Sequence, residues 1–514
     1  MAAATLLSMW SLRFPDTGTD DADIFFAYAR HLVYGEGFVY NVGGERVEGF
    51  TSLLWVLICA IAFRFSDIPE RVLLVVNAAL LAGLLLIGVR AIIKVDPEAP
   101  TRSWAAGAFV ILLLGSPAFV GWMTAALMEN ALWALLLLAS ATLAATASLT
   151  RGSVTALCVC SGLLVITRPE SMAWVPLFAA GLGLRAVMRD GSLSQGARFA
   201  APVLVVFALG LASLLAFRLT YFGFPFPNTY YAKVDRTFVN NLVPGVEYLI
   251  RYFWSGPLAF AVVVSLMLST AHFSLEYYRR RRIEDAPTLL MTVFALAAMG
   301  IPVVVGGDHF GGFRFYQNTL PLAVLAMVFA TTRVLPNYLS LGLNPKGVLI
   351  VRPLGAAVVV CVLGFQLGGY YYFGEVGDLR KEFQIARWGR QVGTLLSETF
   401  PSAPRPLVGV ITAGGIRLTY RGDIFDLMGL NSTVMAHSSG PRTGPKNHVA
   451  FDRKVFFDVL PEVVNPGFVD LSTWTYDPEA LLDSFENRAL NGLLDDDRFL
   501  SMYVLATVSP SDPS

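Results

Sequence analysis

The chain has 514 residues, of which 55% are hydrophobic and 15% are charged, and its mean hydropathy is +0.58. This composition excludes an ordinary soluble globular protein, because apolar runs of about 17–25 residues recur along it, as in helices that span a bilayer. The 38 basic and 38 acidic residues leave no net charge, so a nucleic-acid partner is not expected.

The first polar stretch is TDDAD at residues 19–23. The apolar residues that follow recur at helical spacing and predict a short amphipathic helix: Ile24, Phe25, Tyr28 and Leu32. We expect Asp20 to be the N-cap and Asp23 to lie in the first turn, where the helix dipole favours acids. One acid is enough to cap a helix, and adjacent carboxylates repel each other. The pair Asp20 and Asp21 therefore indicates chemistry beyond capping.

A second acidic group, Glu45 and Glu48, follows a run of turn-forming glycines. Thr51 is expected to cap the next apolar segment, LLWVLICAIAF, which is too short to cross a bilayer. The first outer loop, 15–66, is therefore predicted to hold two short helices in the membrane interface with acids before each.

Ten later segments have the length and apolarity expected of spanning helices: 69–93, 103–119, 129–149, 153–167, 171–187, 199–219, 256–275, 287–305, 315–332 and 347–372. Pro169 predicts a tight turn between 153–167 and 171–187. The first apolar segment, 1–14, is too short on its own, and we expect it to be part of a longer helix. Counted with it, the crossings number eleven.

Basic residues concentrate in alternate loops, most strongly in the run RRRR at 279–282. The positive-inside rule places these loops in the cytoplasm and the opposite set outside. The opposite set holds every motif with chemical character, which indicates an active site that faces outward.

The chain changes character near residue 374, where charged residues return and apolar runs shorten. Runs of strand length occur at 406–411 and 456–460. We expect a membrane module over 1–373 and a small extracytoplasmic mixed α/β domain over 374–514.

Two outward loops carry candidate ligand contacts. In GGDHFGGFRF, 306–315, the glycines allow backbone N–H groups to approach a ligand, and His309 and Arg314 are phosphate donors. The alternative is a flexible hairpin whose arginine reaches the lipid headgroups.

In the second loop, YFGFPFPNTYYAK at 221–233, the aromatic rings suit either contact with a sugar or a belt at the membrane interface. Asn228, Tyr231 and Lys233 are the candidate ligand contacts there.

Arg168 and Glu170 form an ionisable pair at the turn predicted by Pro169, which is costly at membrane level unless paired or functional. A mutual salt bridge is the alternative to a substrate contact. Glu129 and Asn130 begin a helix and either cap it or belong to the site.

Two histidines of the tail, His437 and His448, have no acid or cysteine at the spacing of metal ligands, so no metal site is expected there.

Together these motifs resemble those of bacterial GT-C membrane glycosyltransferases, with the mycobacterial terminal arabinofuranosyltransferase as the closest type. The run DDADIFFAYARHLVYGEGFVYNVGGERVEGFTSLLW is similar to the signature of that group. TRPE at 167–170, the loops at 221–233 and 306–315, and DLMGLN at 426–431 follow in the same order. One departure is Asn431-Ser432, where relatives often have Asn-Asp.

The resemblance implies a polytopic α-helical membrane protein of GT-C type. Such enzymes take one sugar, here arabinofuranose, from a polyprenyl-phosphate donor and transfer it with inversion to an envelope glycan or glycolipid. The site faces the outer side of the bacterial cytoplasmic membrane. Asp20 or Asp21 would be the base, and His309, Arg314 and Lys233 the ligands of the donor phosphate. Further substrate contacts are assigned to Asp23, Tyr28, Glu48, Arg168, Glu170, Asn228, Tyr231 and Asp308.

No cofactor is required by these motifs, and a divalent cation beside the acid pair is left open. The alternative function is a polyprenyl-linked sugar or lipid transporter or flippase. No internal repeat and no charge midway along the spans supports it. A non-catalytic scaffold would leave the acid pair without a role.

Overall fold

The computed structural model describes residues 17–95, 102–233, 238–335, 362, 364, 377–467 and 482–506. Its longer helices are α1 (Asp20–Val33), α2 (Leu53–Phe65), α3 (Pro69–Val95), α4 (Arg102–Leu114), α5 (Pro117–Met123), α6 (Asn130–Ala145), α7 (Arg151–Thr167), α8 (Ser171–Asp190), α9 (Leu193–Tyr221), α10 (Asn228–Lys233), α11 (Phe238–Trp254), α12 (Pro257–Arg280), α13 (Ala286–Val304), α14 (Arg314–Phe329) and α15 (Gly377–Thr399). Then follow β1 (Val408–Val410), α16 (Gly415–Thr419), β2 (Ile424–Asp426), α17 (Thr433–Ala436), α18 (Arg453–Val459), β3 (Val463–Val464), α19 (Phe485–Ala489) and α20 (Asp497–Met502).

Five of the described helices are long and apolar enough to cross a membrane: α3, α8, α9, α12 and α13. The segment predicted as one span at 103–119 is instead two helices, α4 and α5, bent by 77°. The break falls at Gly115 and Ser116, because Pro117 starts a new helix more readily than it continues one. Counted as one span, this pair gives six crossings.

Other predicted spans are apolar helices of fewer than 18 residues, or lie outside the described residues. Helices α6 and α7 have 16 and 17 residues. The turn at Pro169 is confirmed, since α7 ends at Thr167 and α8 begins at Ser171. Segment 1–14 lies outside the described residues, and so does 347–372 apart from residues 362 and 364. The described residues therefore account for five or six of the eleven predicted crossings.

The chain divides into two compact units. The first, the helical unit, comprises the described parts of Leu73–Leu214 and Thr237–Arg380. Its interior is formed where α13 packs against α14 and α11, and where α6 packs against α7, α8 and α14. Small residues allow the close contacts: a Cβ on Gly181 would lie 2.6 Å from the ring of Phe294.

The second, the loop-and-tail unit, comprises the described parts of Asp16–Val72, Leu215–Arg236 and Lys381–Ser514. Helix α1 forms as predicted and packs against α2 and α16. Its N-cap is Thr19 and not Asp20, because the Thr19 hydroxyl accepts the N–H of Ala22 at 3.3 Å. Ser52, not Thr51, likewise caps α2 by accepting the N–H of Trp55. The carboxylates of α1 are therefore not needed for capping.

The tail contains a three-stranded parallel sheet in the order β2-β1-β3. Val408 pairs with Ile424 on one side and with Val463 on the other. The strand predicted at 406–411 is confirmed, but the one predicted at 456–460 is wrong. Those residues belong to α18, because Asp452 caps a helix by accepting the N–H of Lys454. Phe456 still enters the core of the tail, as an apolar residue in a strand would.

Tyr28 links the first loop to the tail within the loop-and-tail unit. Its hydroxyl donates to Asn431 Oδ1 at 3.1 Å and accepts the N–H of Gly49 at 3.2 Å. Asn431 in turn donates its backbone N–H and its amide to Asp426, each at 2.8 Å. A Cβ at Gly49 would overlap Asn431 Oδ1, so only glycine fits.

We expect Gly49→Ala to destabilise the protein by about 2 kcal/mol or more, because the methyl group displaces the amide that satisfies Tyr28 and Asp426. Gly107→Ala is the matched control, because Gly107 lies inside α4 and a Cβ added there would meet no atom within 4 Å. Alanine there should be neutral or slightly stabilising. Thermal unfolding of the detergent-purified variants measures both, and equal melting temperatures would contradict the packing described.

Candidate active site

The two carboxylates of the acid pair have different surroundings. Asp20 Oδ2 accepts the N–H of Gly414 at 2.9 Å, and Oδ1 accepts that of Gly415 at 2.8 Å. Both glycines lie against backbone atoms. A Cβ on Gly414 would overlap the carbonyl of Asp20 in α1, and a Cβ on Gly415 would overlap that of Ala386 in α15. Asp20 is thereby held in one orientation against the tail.

Asp21 lies beside a cation. Its Oδ2 is 3.9 Å from Nζ of Lys233, and the two side chains are 22% and 25% exposed. The structure therefore brings one predicted base and one predicted phosphate ligand together within the loop-and-tail unit. Both side chains are partly exposed and therefore accessible to a substrate.

Asp23 is fully buried and forms an ion pair with Arg390 on α15. Arg390 Nε donates to Asp23 Oδ2 at 2.7 Å, and a second bond joins its Nη2 to Oδ1. Arg390 also lies 3.9 Å from Glu70. Sequence reasoning missed Arg390, whose segment carries no local motif. Asp23 has no exposed surface, so its ion pair with Arg390 serves to hold α1 in position.

The pKa of Asp20 rises from its ordinary value near 3.8 to about 6. Burial is the main cause, because it penalises the charged form, and the neighbouring Asp21 adds to it. The two glycine N–H groups act in the opposite direction but do not cancel it. Asp20 is thus ionised at neutral pH and protonated in mildly acidic solution.

Three further predicted contacts are used inside the loop-and-tail unit. The carboxylate of Glu48 is buried against Arg218, with Nε–Oε2 at 2.8 Å and Nη2–Oε1 at 2.9 Å. Asn228 donates its amide to the carbonyl of Gly429 at 2.7 Å. Tyr231 packs its ring on His437, with 4.1 Å between ring centroids. Like Tyr28, these side chains mainly fix the loops around the acid pair.

In the helical unit, Arg168 lies between two carboxylates. Its Nη1 is 2.6 Å from Glu129 Oε1, and its Nη2 is 2.8 Å from Glu170 Oε1. The mutual salt bridge considered for Arg168 and Glu170 is therefore present. The Glu129 side chain does not cap α6, since it makes no capping hydrogen bond.

The loop before α14 contains a second ion pair in the same unit. Arg314 Nε donates to Asp308 Oδ2 at 2.6 Å, and His309 Nδ1 lies 3.4 Å from Asp308 Oδ1. Burial raises the pKa of Asp308, but Arg314 and His309 outweigh it and hold that pKa well below its usual range. Arg314 is only 6% exposed and lies over the ring of Phe310 at 4.1 Å, so it does not reach out to headgroups.

The two arginines beside these loops are already matched by acids. Arg168 and Arg314 face three carboxylates, Glu129, Glu170 and Asp308. The three carboxylates outnumber the two arginines. A phosphate at this loop would therefore need further donors, such as the backbone N–H groups of the glycine turns.

Comparisons with known proteins reveal the fold. No family model matches the chain, and no curated protein matches it in sequence. The structure is similar to that of ArnT from Cupriavidus metallidurans bound to undecaprenyl phosphate, with a TM-score of 0.50 and 15% identity over 84% of this chain and 87% of that one. An oligosaccharyltransferase from Archaeoglobus fulgidus, in complex with zinc and sulfate, gives a TM-score of 0.46 and 12% identity over 87% of this chain and 63% of the other. The likeness to ArnT shows that the fold is that of the GT-C membrane glycosyltransferases, as the resemblance in the sequence implied.

We expect the stability of the protein to fall as pH rises from about 4 to 6, in part because the folded state holds the Asp20 proton more tightly than the unfolded chain does. Asp20 contributes stability at pH values below the pKa of its carboxyl group in the unfolded chain. This contribution is lost as pH rises through the pKa of that group in the folded protein. Asp20→Asn should flatten this slope, whatever its effect on absolute stability. Asp458→Asn, at an exposed acid in the same unit, is the control. Melting temperatures across this pH range decide, and an unchanged slope in Asp20→Asn would refute the assignment.

Arg390→Gln should cost about 3 kcal/mol, since it leaves the carboxylate of Asp23 buried without its cation. The double variant Asp23→Asn/Arg390→Gln should recover part of this loss, because neither charge remains. Arg387→Gln, at an exposed position on the same helix, is the matched control. Denaturant unfolding compares these three variants with the wild type, and a loss in Arg390→Gln no larger than in Arg387→Gln would contradict a structural ion pair.

Proposed function

We propose that the chain is a membrane glycosyltransferase that moves one sugar from a polyprenyl-phosphate donor to a hydroxyl group of an envelope glycan or glycolipid. Two observations support the proposal. The fold is shared with ArnT, whose structure holds undecaprenyl phosphate. The acid pair also includes a carboxylate that is accessible and lies beside a lysine ammonium.

The contact between Asp21 and Lys233 carries the chemical assignment. Asp21 acts as the base: it takes the proton of the acceptor hydroxyl as that oxygen attacks the anomeric carbon. The bond between this carbon and the phosphate oxygen breaks, and the polyprenyl phosphate leaves with the electron pair. Lys233 stabilises the charge that develops on the phosphate. Attack from the face opposite the leaving group inverts the anomeric carbon.

Asp20 receives a different role in this proposal. Both of its oxygens are engaged by the N–H groups of Gly414 and Gly415, so it orients the start of α1. Asp23 supports the same helix through Arg390. The role of His309 as a phosphate ligand stays a prediction from the sequence, and its side chain is 28% exposed in the helical unit. Arg314 acts mainly by holding Asp308 in the loop.

The finer part of the proposal concerns substrates and location. Arabinofuranose as the transferred sugar, an acceptor in the cell envelope and a site on the outer face of the bacterial cytoplasmic membrane are supported by the order of the sequence motifs. The polyprenyl donor has the additional support of the lipid in ArnT. Mass spectrometry of the envelope glycan from a deletion strain tests the sugar and the acceptor together, because the missing residue identifies both.

Asp21→Asn should lower sugar transfer from a polyprenyl-phosphate sugar by about 100-fold or more, because the acceptor proton loses its base. Lys233→Gln should lower transfer less strongly, and Asp20→Asn should act mainly through the population of correctly folded enzyme. Asp458→Asn, an exposed acid in the same unit, should transfer as the wild type does. Full activity in Asp21→Asn would exclude Asp21 as the base. Full activity in the double variant with Asp20→Asn as well would exclude a catalytic role for the acid pair as a whole.

A further inference from the structure

One turn of the tail connects β2 to α17 and is closed on a single carboxylate. We call residues 426–432 the tail turn. Asp426 is fully buried, and its Oδ1 accepts the N–H of Met428 at 2.9 Å. Its Oδ2 accepts the backbone N–H and the side-chain amide of Asn431, each at 2.8 Å. Because donors reach both oxygens of this carboxylate, it holds the turn in one conformation.

The tail turn holds α1 through Tyr28. The Tyr28 hydroxyl donates to Oδ1 of Asn431 at 3.1 Å, and the bond from the Asn431 amide to Asp426 fixes the direction in which that oxygen points. Tyr28 lies seven residues beyond Asp21 in α1, which is close to two turns of 3.6 residues, so both lie on nearly the same side of the helix. The hydrogen bond at Tyr28 therefore restrains the rotation and the height of α1, on which the position of Asp21 depends.

The same turn holds α10 through Asn228. The side-chain amide of Asn228 is shared among three carbonyl oxygens of the turn, those of Gly429, Leu430 and Ser432, at 2.7, 3.1 and 3.3 Å. The opposite orientation of this amide would place its oxygen against three acceptors, which is unfavourable. Asn228 is the first residue of α10, and Lys233 is the last. The tail turn thus fixes the start of the short helix that ends with the lysine.

Small residues pack α10 against the helix that follows the tail turn. Ala232 of α10 packs with Ala436 of α17 and with Ala450, and all three are at most 1% exposed. With no longer side chain between them, α10 and α17 have little freedom to slide past each other. Helix α10 is therefore held at its start by Asn228 and, directly before Lys233, by Ala232.

The contact between Asp21 and Lys233 is too weak to set its own geometry. The two side chains are partly exposed, and the charged atoms are 3.9 Å apart. Ion pairs of this kind add little stability, because both partners stay hydrated and the long lysine side chain loses freedom in the pair. The buried hydrogen bonds of the tail turn are stronger restraints. The spacing of the pair therefore depends on the backbone that carries it.

We propose that the tail turn is a positioning element for the contact between Asp21 and Lys233, with Asn431 and Asn228 as its positioning residues. Helix α1 supplies the carboxylate, α10 supplies the ammonium, and the same turn holds both helices. The inference rests on the proposed function for its catalytic meaning. A base and a phosphate ligand that lose their spacing lower the rate of the chemical step more than they lower substrate affinity.

Carbodiimide coupling of the full chain in lipid nanodiscs measures the spacing without any substrate. The reagent activates a carboxylate, and an amine in contact with it then forms an amide bond, so we expect Asp21 and Lys233 to be joined in the wild type. Asn431→Ala and Asn228→Ala should each lower the yield of this cross-link by about fivefold, because the loss of one net hydrogen bond changes a population by about that factor. Mass spectrometry of the joined peptides gives the yield.

Asn487→Ala is the matched control. The side-chain amide of Asn487 donates to the carbonyl of Leu482 at 2.9 Å, and its Oδ1 accepts the N–H of Leu494 at 3.0 Å. The substitution thus removes a buried asparagine of the same unit, with two hydrogen bonds of similar kind, away from the tail turn. This variant should lose stability and keep the wild-type yield of cross-link.

Three results would overturn the proposal. One is a wild type that forms no cross-link between the pair. Another is a yield in Asn431→Ala and Asn228→Ala equal to that in Asn487→Ala. The third is an unchanged yield in Tyr28→Phe, which removes the bond to Asn431 from the other side and decides the matter if Asn431→Ala does not fold.

Transfer kinetics, measured per folded protein, connect the spacing with catalysis. Asn431→Ala should lower kcat more than it raises KM. Added to Asp21→Asn, it should have little further effect, because the base whose position it sets is already absent. A role in folding alone would lower transfer by the same factor in both backgrounds, and that result would overturn the positioning role. Full transfer by Asp21→Asn would instead refute the proposed function, and the cross-link would still decide the spacing.

Discussion

A buried carboxylate needs hydrogen-bond donors or a cation beside it. This need determines which segments pack together in the loop-and-tail unit. Helix α1 brings Asp23 into the interior, where, among the described residues, the bidentate ion pair with Arg390 makes the charge tolerable. Asp20 and Tyr28 extend the same principle through the glycine N–H groups and Asn431. All of these partners come from the last third of the chain. Asp20, one member of the acid pair, is consequently fixed by two glycines that have no catalytic role of their own.

The helical unit matches its charges in a different way. Arg314 and Asp308 are six residues apart, and Arg168 and Glu170 only two. Such local pairs form within a turn, so their arginines are already neutralised before any ligand arrives. Lys233 differs from them, because Asp21 lies at 3.9 Å and both side chains are partly exposed. For this reason, the proposed stabilisation of the leaving phosphate is assigned to Lys233 and not to Arg168 or Arg314.

The sequence predicted features that depend on neighbours along the chain. Helix α1, the break at Pro169 and strand β1 all follow from local periodicity or from proline. The caps at Thr19 and Ser52 were misplaced by one residue, because hydroxyls and carboxylates both suit an N-cap and the backbone conformation chooses between them. Residues 456–460 were predicted as a strand, since two phenylalanines fit either structure, and Asp452 decides for a helix. Arg390, Gly414 and Gly415 could not be found at all, because their importance depends on contacts almost 400 residues away along the chain.

The separation of α1 from its partners has a consequence for biogenesis. A ribosome completes Asp23 long before it reaches Arg390, and during that interval the carboxylate has no counterion from this chain. The start of α1 must stay hydrated, or shielded by another factor, until the tail has been synthesised and has folded. Assembly of the acidic loop is thus timed to the end of synthesis, and an incomplete polypeptide would insert into the membrane without acquiring an ordered acid pair.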